Sequence, residues 1–145
     1  MLFRSDRWAL LGQVNGGFED TDLGTARWFA AALAARCGLP ADLFVAGRVD
    51  AFWEWVPERD GARAAAIFWP VAAGPGEDAA TRLTSGTLTL GWQPAETFAV
   101  RLEARHDRAN GDFFAEGGGD RAPTAPFEPR RDGQTTFTLG LNGGF

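Results

Sequence analysis

From Phe98 to Asp107 the residues alternate one by one: Phe98, Val100, Leu102 and Ala104 fall on one face, and Ala99, Arg101, Glu103, Arg105 and Asp107 on the other. A period of two marks a strand with two different faces, because successive side chains point to opposite sides of the backbone. Thr135 to Phe145 repeats the pattern, with Phe137, Leu139, Leu141 and Phe145 on one face and Thr136, Thr138 and Asn142 on the other. Leu88, Leu90 and Trp92 alternate with Thr87, Thr89 and Gln93. Leu43, Val45, Val49, Ala51 and Trp53 alternate with Arg48, Asp50 and Glu54, although Phe44 and Phe52 interrupt the polar face. Trp8, Leu10, Val14 and Phe18 alternate with Gln13, Asn15 and Glu19. The alanine-rich Arg27 to Cys37 would suit a helix by propensity. Its strand neighbours and the turn-like Gly38-Leu-Pro-Ala41 make it the sixth expected strand.

Connections between these strands differ in length by side. Gly38 to Ala41 and Pro94 to Glu96 read as tight turns, and Asp20 to Gly24 as a connection of intermediate length. Val56 to Thr84 and Asn110 to Gly133 read as long loops rich in Gly, Pro and charge. Such loops are uncommon inside a compact soluble domain. They belong with a transmembrane β-barrel, which has tight turns at one end and long loops at the other. Strands of about ten residues also match the length needed to cross a bilayer at a tilt. Within the long loop, Ala64 to Ala73 is apolar and reads as a loop with an aromatic anchor or as a segment folded over the barrel mouth.

A sheet survives in hydrocarbon only when every backbone group is paired, which requires closure. One face must then meet lipid and the other can meet water. The expected fold is therefore an all-β, antiparallel up-and-down transmembrane barrel. Its lumen-facing candidates are Arg48, Asp50, Arg101, Glu103, Arg105 and Asp107, whose mixed signs suggest cross-strand ion pairs. Trp8, Trp53 and Trp92 lie near strand ends, where interfacial aromatic belts form. The competing reading of the charged ladder is the solvated face of a soluble antiparallel sheet.

Composition narrows the function classes. A net charge of −5 argues against an electrostatic nucleic-acid binder. One cysteine (Cys37, read as an incidental thiol) and one histidine leave no multi-cysteine or His-rich metal site, and no cofactor is expected. Asp112, Glu116 and Asp120 around three glycines do not match an EF-hand spacing and read as a solvated loop. Arg105-His106-Asp107 invites a catalytic reading, but neighbouring strand residues face opposite ways, so Asp107 is not expected to orient His106. Ser5 and Ser85 sit in no nucleophile motif. No enzymatic activity is expected.

The stretch Ser85-Gly-Thr-Leu-Thr-Leu-Gly-Trp-Gln-Pro-Ala-Glu-Thr-Phe-Ala-Val-Arg-Leu-Glu-Ala-Arg-His-Asp107, followed by Gln134-Thr-Thr-Phe-Thr-Leu-Gly-Leu-Asn-Gly-Gly-Phe145, resembles the C-terminal region of β-barrel porins of the OmpL-like family. Arg27 to Trp55 is similar to the preceding hairpin of such proteins. The resemblance implies a porin of the Gram-negative outer membrane that passes small hydrophilic solutes. Phe137, Leu139, Leu141 and Phe145 look like the signal read by barrel-assembly machinery. The implied partners are outer-membrane lipid, that machinery and the solutes, with homo-oligomerisation left open. A structural or adhesion module built on the same strands is the alternative. Six strands fall below the minimum of about eight for a single-chain barrel, and Met1 to Gly12 does not read as a signal peptide. The expectation is the C-terminal part of a larger barrel domain spanning residues 1–145.

Overall fold

In the computed structural model, which describes residues 2–5, 7–59, 62–63, 80–111, 114–115 and 129–144, the chain is all β. The elements in order are β1 (Leu2–Arg4), β2 (Trp8–Thr21), β3 (Gly24–Gly38), β4 (Leu43–Trp55), β5 (Glu58–Arg59), β6 (Ala62–Arg63), β7 (Ala80–Ala95), β8 (Phe98–Ala109), β9 (Phe114–Ala115), β10 (Pro129–Arg131) and β11 (Gly133–Gly143). Seven of them make one antiparallel sheet in the order β1-β2-β3-β4-β7-β8-β11. Each strand pairs with its nearest sheet neighbour in sequence, the up-and-down arrangement expected. The minor ribbons β5–β6 and β9–β10 stand beyond the ends of β4 and β8. Among the described residues the two outer strands do not pair with each other, so the sheet is not closed.

The alanine-rich segment is indeed a strand. On β3 every second residue of Arg27, Phe29, Ala31, Leu33, Ala35 and Cys37 shares a face, and both edges of β3 are fully laddered. A helix would satisfy its own backbone and leave one edge each of β2 and β4 unpaired. The ladder formed with two strongly alternating strands therefore outweighs the few tenths of a kcal/mol per residue of alanine propensity.

The connection expected to be of intermediate length at Asp20 to Gly24 is a two-residue turn, with Thr21 paired to Gly24. Local side chains close it. Thr21 Oγ1 donates to Gly24 O at 2.7 Å and accepts from Leu23 N at 3.3 Å, and Thr25 Oγ1 donates to Asp20 Oδ1 at 2.8 Å. Gly24 adopts φ of 134°, a value that L side chains rarely take. The structure also starts β7 at Ala80, within the long loop expected to run to Thr84.

The β3–β4 turn is tight for a different reason. Ala41 and Asp42 both have positive φ, 60° and 59°, and Leu43 N–H reaches back to Pro40 O at 3.4 Å. This is a type I′ geometry, whose twist suits an antiparallel hairpin; Asp42 is one of the residue types it accepts, but Ala41 is not. Left-handed backbone at a non-glycine residue costs roughly 1–2 kcal/mol. Replacing Ala41-Asp42 by Asn-Gly should raise the unfolding midpoint, with a gain of about 1 kcal/mol. An unchanged denaturant midpoint in micelles would show that the turn is not strained.

Burial is inverted relative to a water-soluble domain. The buried apolar residues among those described are only Ala26, Phe44, Ala99, Ala109 and Phe114, while Phe18, Val14, Leu88, Leu102, Phe137, Leu139 and Leu141 are all exposed. Register places these exposed residues on one side. Val49, Leu88, Leu90, Leu102, Leu139 and Leu141 form a contiguous apolar surface across β4, β7, β8 and β11. Soluble monomers rarely leave so large an apolar patch open to water.

The candidate lumen wall

On the opposite side, register brings the polar residues into transverse rows. One row reads Gln13, Ala32, Asp50, Ser85, Asp107, Gln134 across six strands. The next, one step nearer the tight turns, reads Leu11, Ala34, Arg48, Thr87, Arg105, Thr136. A third carries Arg36, Ala46, Thr89, Glu103 and Thr138. All six expected lumen residues therefore lie on a single face. Arg48, Asp50, Arg105 and Asp107 border one groove of about 270 Å³ together with Gln13 and Asn15.

The pairing of these charges differs from the cross-strand ion pairs that the sequence suggested. Arg48 holds Asp50 two residues along its own strand, through Nε at 2.8 and 2.9 Å and Nη2 at 2.6 Å. Arg105 holds Asp107 in the same way, Nε to Oδ1 at 2.8 Å. The reason is the register. Charges sit on β4 and β8, and the strands beside β8 present hydroxyl and amide groups instead. Cross-strand contacts are therefore neutral donors to carboxylates. Ser85 Oγ donates to Asp50 Oδ2 (3.2 Å), Thr89 Oγ1 to Glu103 Oε2 (3.1 Å) and Gln134 Nε2 to Asp107 Oδ2 (3.3 Å). Half-exposed ion pairs of this kind add little stability, about 0.2–1 kcal/mol each. They fix side-chain direction more than they hold the sheet together.

Sequence reasoning missed several members of this wall. Arg36 lies on it and donates to Gln93 Oε1 at 3.1 Å, with its guanidinium 4.0 Å above the Phe44 ring. Trp28, also unforeseen, stacks at 6.5 Å on Phe52, which the alternation had already placed on this face as an interruption. The hydroxyls Ser85, Thr87 and Thr89 were legible as alternating polar residues, but their partners required the register. The tight β7–β8 turn could have supplied the register between Thr89 and Glu103, whereas β4 and β7 are joined through the long loop and no turn sets theirs.

Aromatic residues mark both ends of the apolar face. Trp8, Trp92 and Phe98 lie at the tight-turn end, with Trp92 and Phe98 edge to face at 6.3 Å. Phe29, Trp53 and Trp55 lie at the long-loop end, with Phe29 and Trp53 tilted at 5.6 Å. Leu43, opposite Trp92, and Trp53 are ten residues apart on β4. That distance is about 34 Å along the strand. It becomes roughly 25 Å at a barrel tilt of about 45°, the height of an outer-membrane apolar band.

The remaining candidates are placed as follows. His106 lies on the apolar face with Nδ1 2.9 Å from Thr135 Oγ1, while Asp107 and Ser85 face the other way. No Ser–His–Asp geometry can form among them. Cys37 is a free, partly buried thiol near the tight turns. Phe137, Leu139 and Leu141 share the exposed apolar face of β11. Phe145, the Ala64 to Ala73 segment, Asp112, Glu116 and Asp120 lie outside the described residues. No helix among the described residues is long and apolar enough to cross a membrane.

Comparison with known proteins agrees with the architecture. The model of the family described as "Putative beta-barrel porin-2, OmpL-like" matches residues 4–145. No curated protein and no solved structure matches.

Proposed function

The chain belongs to this OmpL-like β-barrel porin family, and from that membership and its two-faced sheet we propose that it forms wall of an outer-membrane channel through which small hydrophilic solutes diffuse. The observation that carries the reading is the division of faces. The charges of the three polar rows lie on one side, and an apolar band bounded by aromatic residues covers the other, with Arg27, Arg82 and Arg108 on it only towards the long-loop end. A sheet between lipid and water needs that division, and among the described residues no apolar core covers the exposed apolar face, as it would in a soluble sheet. Open edges cannot face hydrocarbon, so in the membrane β1–β2 and β11 pair with further strands. The exposed Phe137, Leu139 and Leu141, with Phe145, serve as the signal for barrel assembly. No step in this role requires catalysis.

Arg48, Asp50, Arg101, Glu103, Arg105 and Asp107 line the pore in this reading. Recording the complete protein in a planar bilayer should show discrete conductance steps. Replacing Arg101, Glu103 and Arg105 with Ala should change their size, because the variant removes three charged side chains from the wall. Unchanged conductance would take these residues out of the pore. Release of the complete protein into buffer without detergent would favour the alternative, a soluble structural or adhesion module.

A further inference from the structure

The charges on the polar face are not presented equally. Among the described side chains they nearly cancel by number: Arg36, Arg48, Arg101 and Arg105 stand against Glu19, Asp50, Glu54, Glu103 and Asp107. By exposure they do not. All four arginines are exposed, whereas Glu54 and Asp107 are buried and Asp50 and Glu103 half-buried. Glu19 is the exposed carboxylate, and it lies at the long-loop end of β2.

The two clamps show how the asymmetry arises. Their side chains are 51% exposed for Arg48 against 27% for Asp50, and 50% for Arg105 against 9% for Asp107. Each carboxylate lies back against the sheet, where neutral donors occupy its oxygens: Ser85 on Asp50 and Gln134 on Asp107. Each guanidinium carries five N–H groups. Arg105 spends only Nε on described residues, and Arg48 spends Nε and Nη2. The rest are free to meet a solute. Each clamp is thus a dipole with its positive end in the groove. Arg48 and Arg105 flank the same Thr87, and Arg101, with no ion-pair partner among the described residues, continues the cationic surface towards the tight turns.

We propose that this wall is a track for small anions, carboxylate or phosphate-like, and that the channel prefers anions although the chain carries a net charge of −5. The inference rests on the channel reading above. Local presentation decides it, because a partly dehydrated ion samples the groups within contact distance, and charge beyond about 8 Å is screened at physiological salt.

The test is the reversal potential of the complete protein in a planar bilayer under a potassium chloride gradient. Chloride preference is expected. Open channels with potassium preference would overturn the inference and leave the channel reading standing, whereas absence of any conductance would overturn the channel reading itself. Arg48→Ala with Arg105→Ala uncovers Asp50 and Asp107, and should drive the reversal potential to the cation side. Arg48→Lys with Arg105→Lys keeps the charge and should keep its sign. Arg101→Gln uncovers no carboxylate and should weaken chloride preference without reversing it, which decides the matter if the double alanine variant does not fold. Unaltered chloride preference in a folded Arg101→Gln variant, or in the folded double alanine variant, would overturn the track.

Discussion

Leu102→Arg should destabilise the folded barrel by about 2–4 kcal/mol, the cost of a guanidinium facing lipid near the bilayer midplane. Leu102 stands between Leu90 and Leu139 in a cross-strand row and is 55% exposed on the apolar face, which the proposed channel turns towards hydrocarbon. An arginine there has no lumen to reach, because the strand directs its side chain outward. Arg101→Leu, one residue earlier, makes the contrast. It faces the groove and should change stability by well under 1 kcal/mol, since it removes an exposed charge without an ion-pair partner among the described residues. Urea unfolding of the complete protein in lipid or micelles measures both. Equal effects of the two substitutions would sink the assignment of faces.

Gly91→Ala should be nearly as damaging, at about 1–3 kcal/mol, through overpacking rather than charge. Phe44 is 5% exposed and the far edge of its ring lies over Gly91, its cross-strand partner, so that a Cβ built on Gly91 would collide with Cζ and Cε1 of that ring. The same economy recurs at Gly17, where a Cβ would come 2.6 Å from Trp28 Nε1. An aromatic ring closing over a glycine is a device for curving a sheet while leaving no void. Alanine would push Phe44 off its rotamer and away from Arg36, whose guanidinium it supports. In a Phe44→Ala background Gly91→Ala should be close to neutral. A cost that persists there would show that the ring is not the reason for the glycine.

Most of the fold was legible because it rests on parity, which a sequence shows directly. The two faces of β4, β8 and β11 could be written down from Leu43, Phe98 and Phe137 onward, and the structure keeps them. β3 was harder, since alanine carries no facial information. Only its neighbours decide its state. The β2–β3 turn was misjudged because its closure depends on hydroxyl and carboxylate contacts by Thr21, Asp20 and Thr25 that a residue count does not reveal. The site divided in the same way. Which residues face the groove follows from single strands, but who holds whom depends on register between strands. Thus Arg48 was placed on the wall from its strand alone, while its partner, a carboxylate two residues along the same strand, needed the structure.

The alternation of charged β4 and β8 with hydroxyl-bearing β7 sets a length. Arg48 and Arg105, either side of Thr87, are two strand spacings apart, about 9.6 Å. That is slightly more than the roughly 8 Å over which charge is felt at physiological ionic strength, far more than the roughly 3 Å at 1 M, and well inside the roughly 30 Å at 0.01 M. The same wall is therefore two kinds of surface. In the proposed channel the arginines would merge in dilute water into one field that sorts passing ions. In brine each would act alone, and the wall would become an almost indifferent pipe.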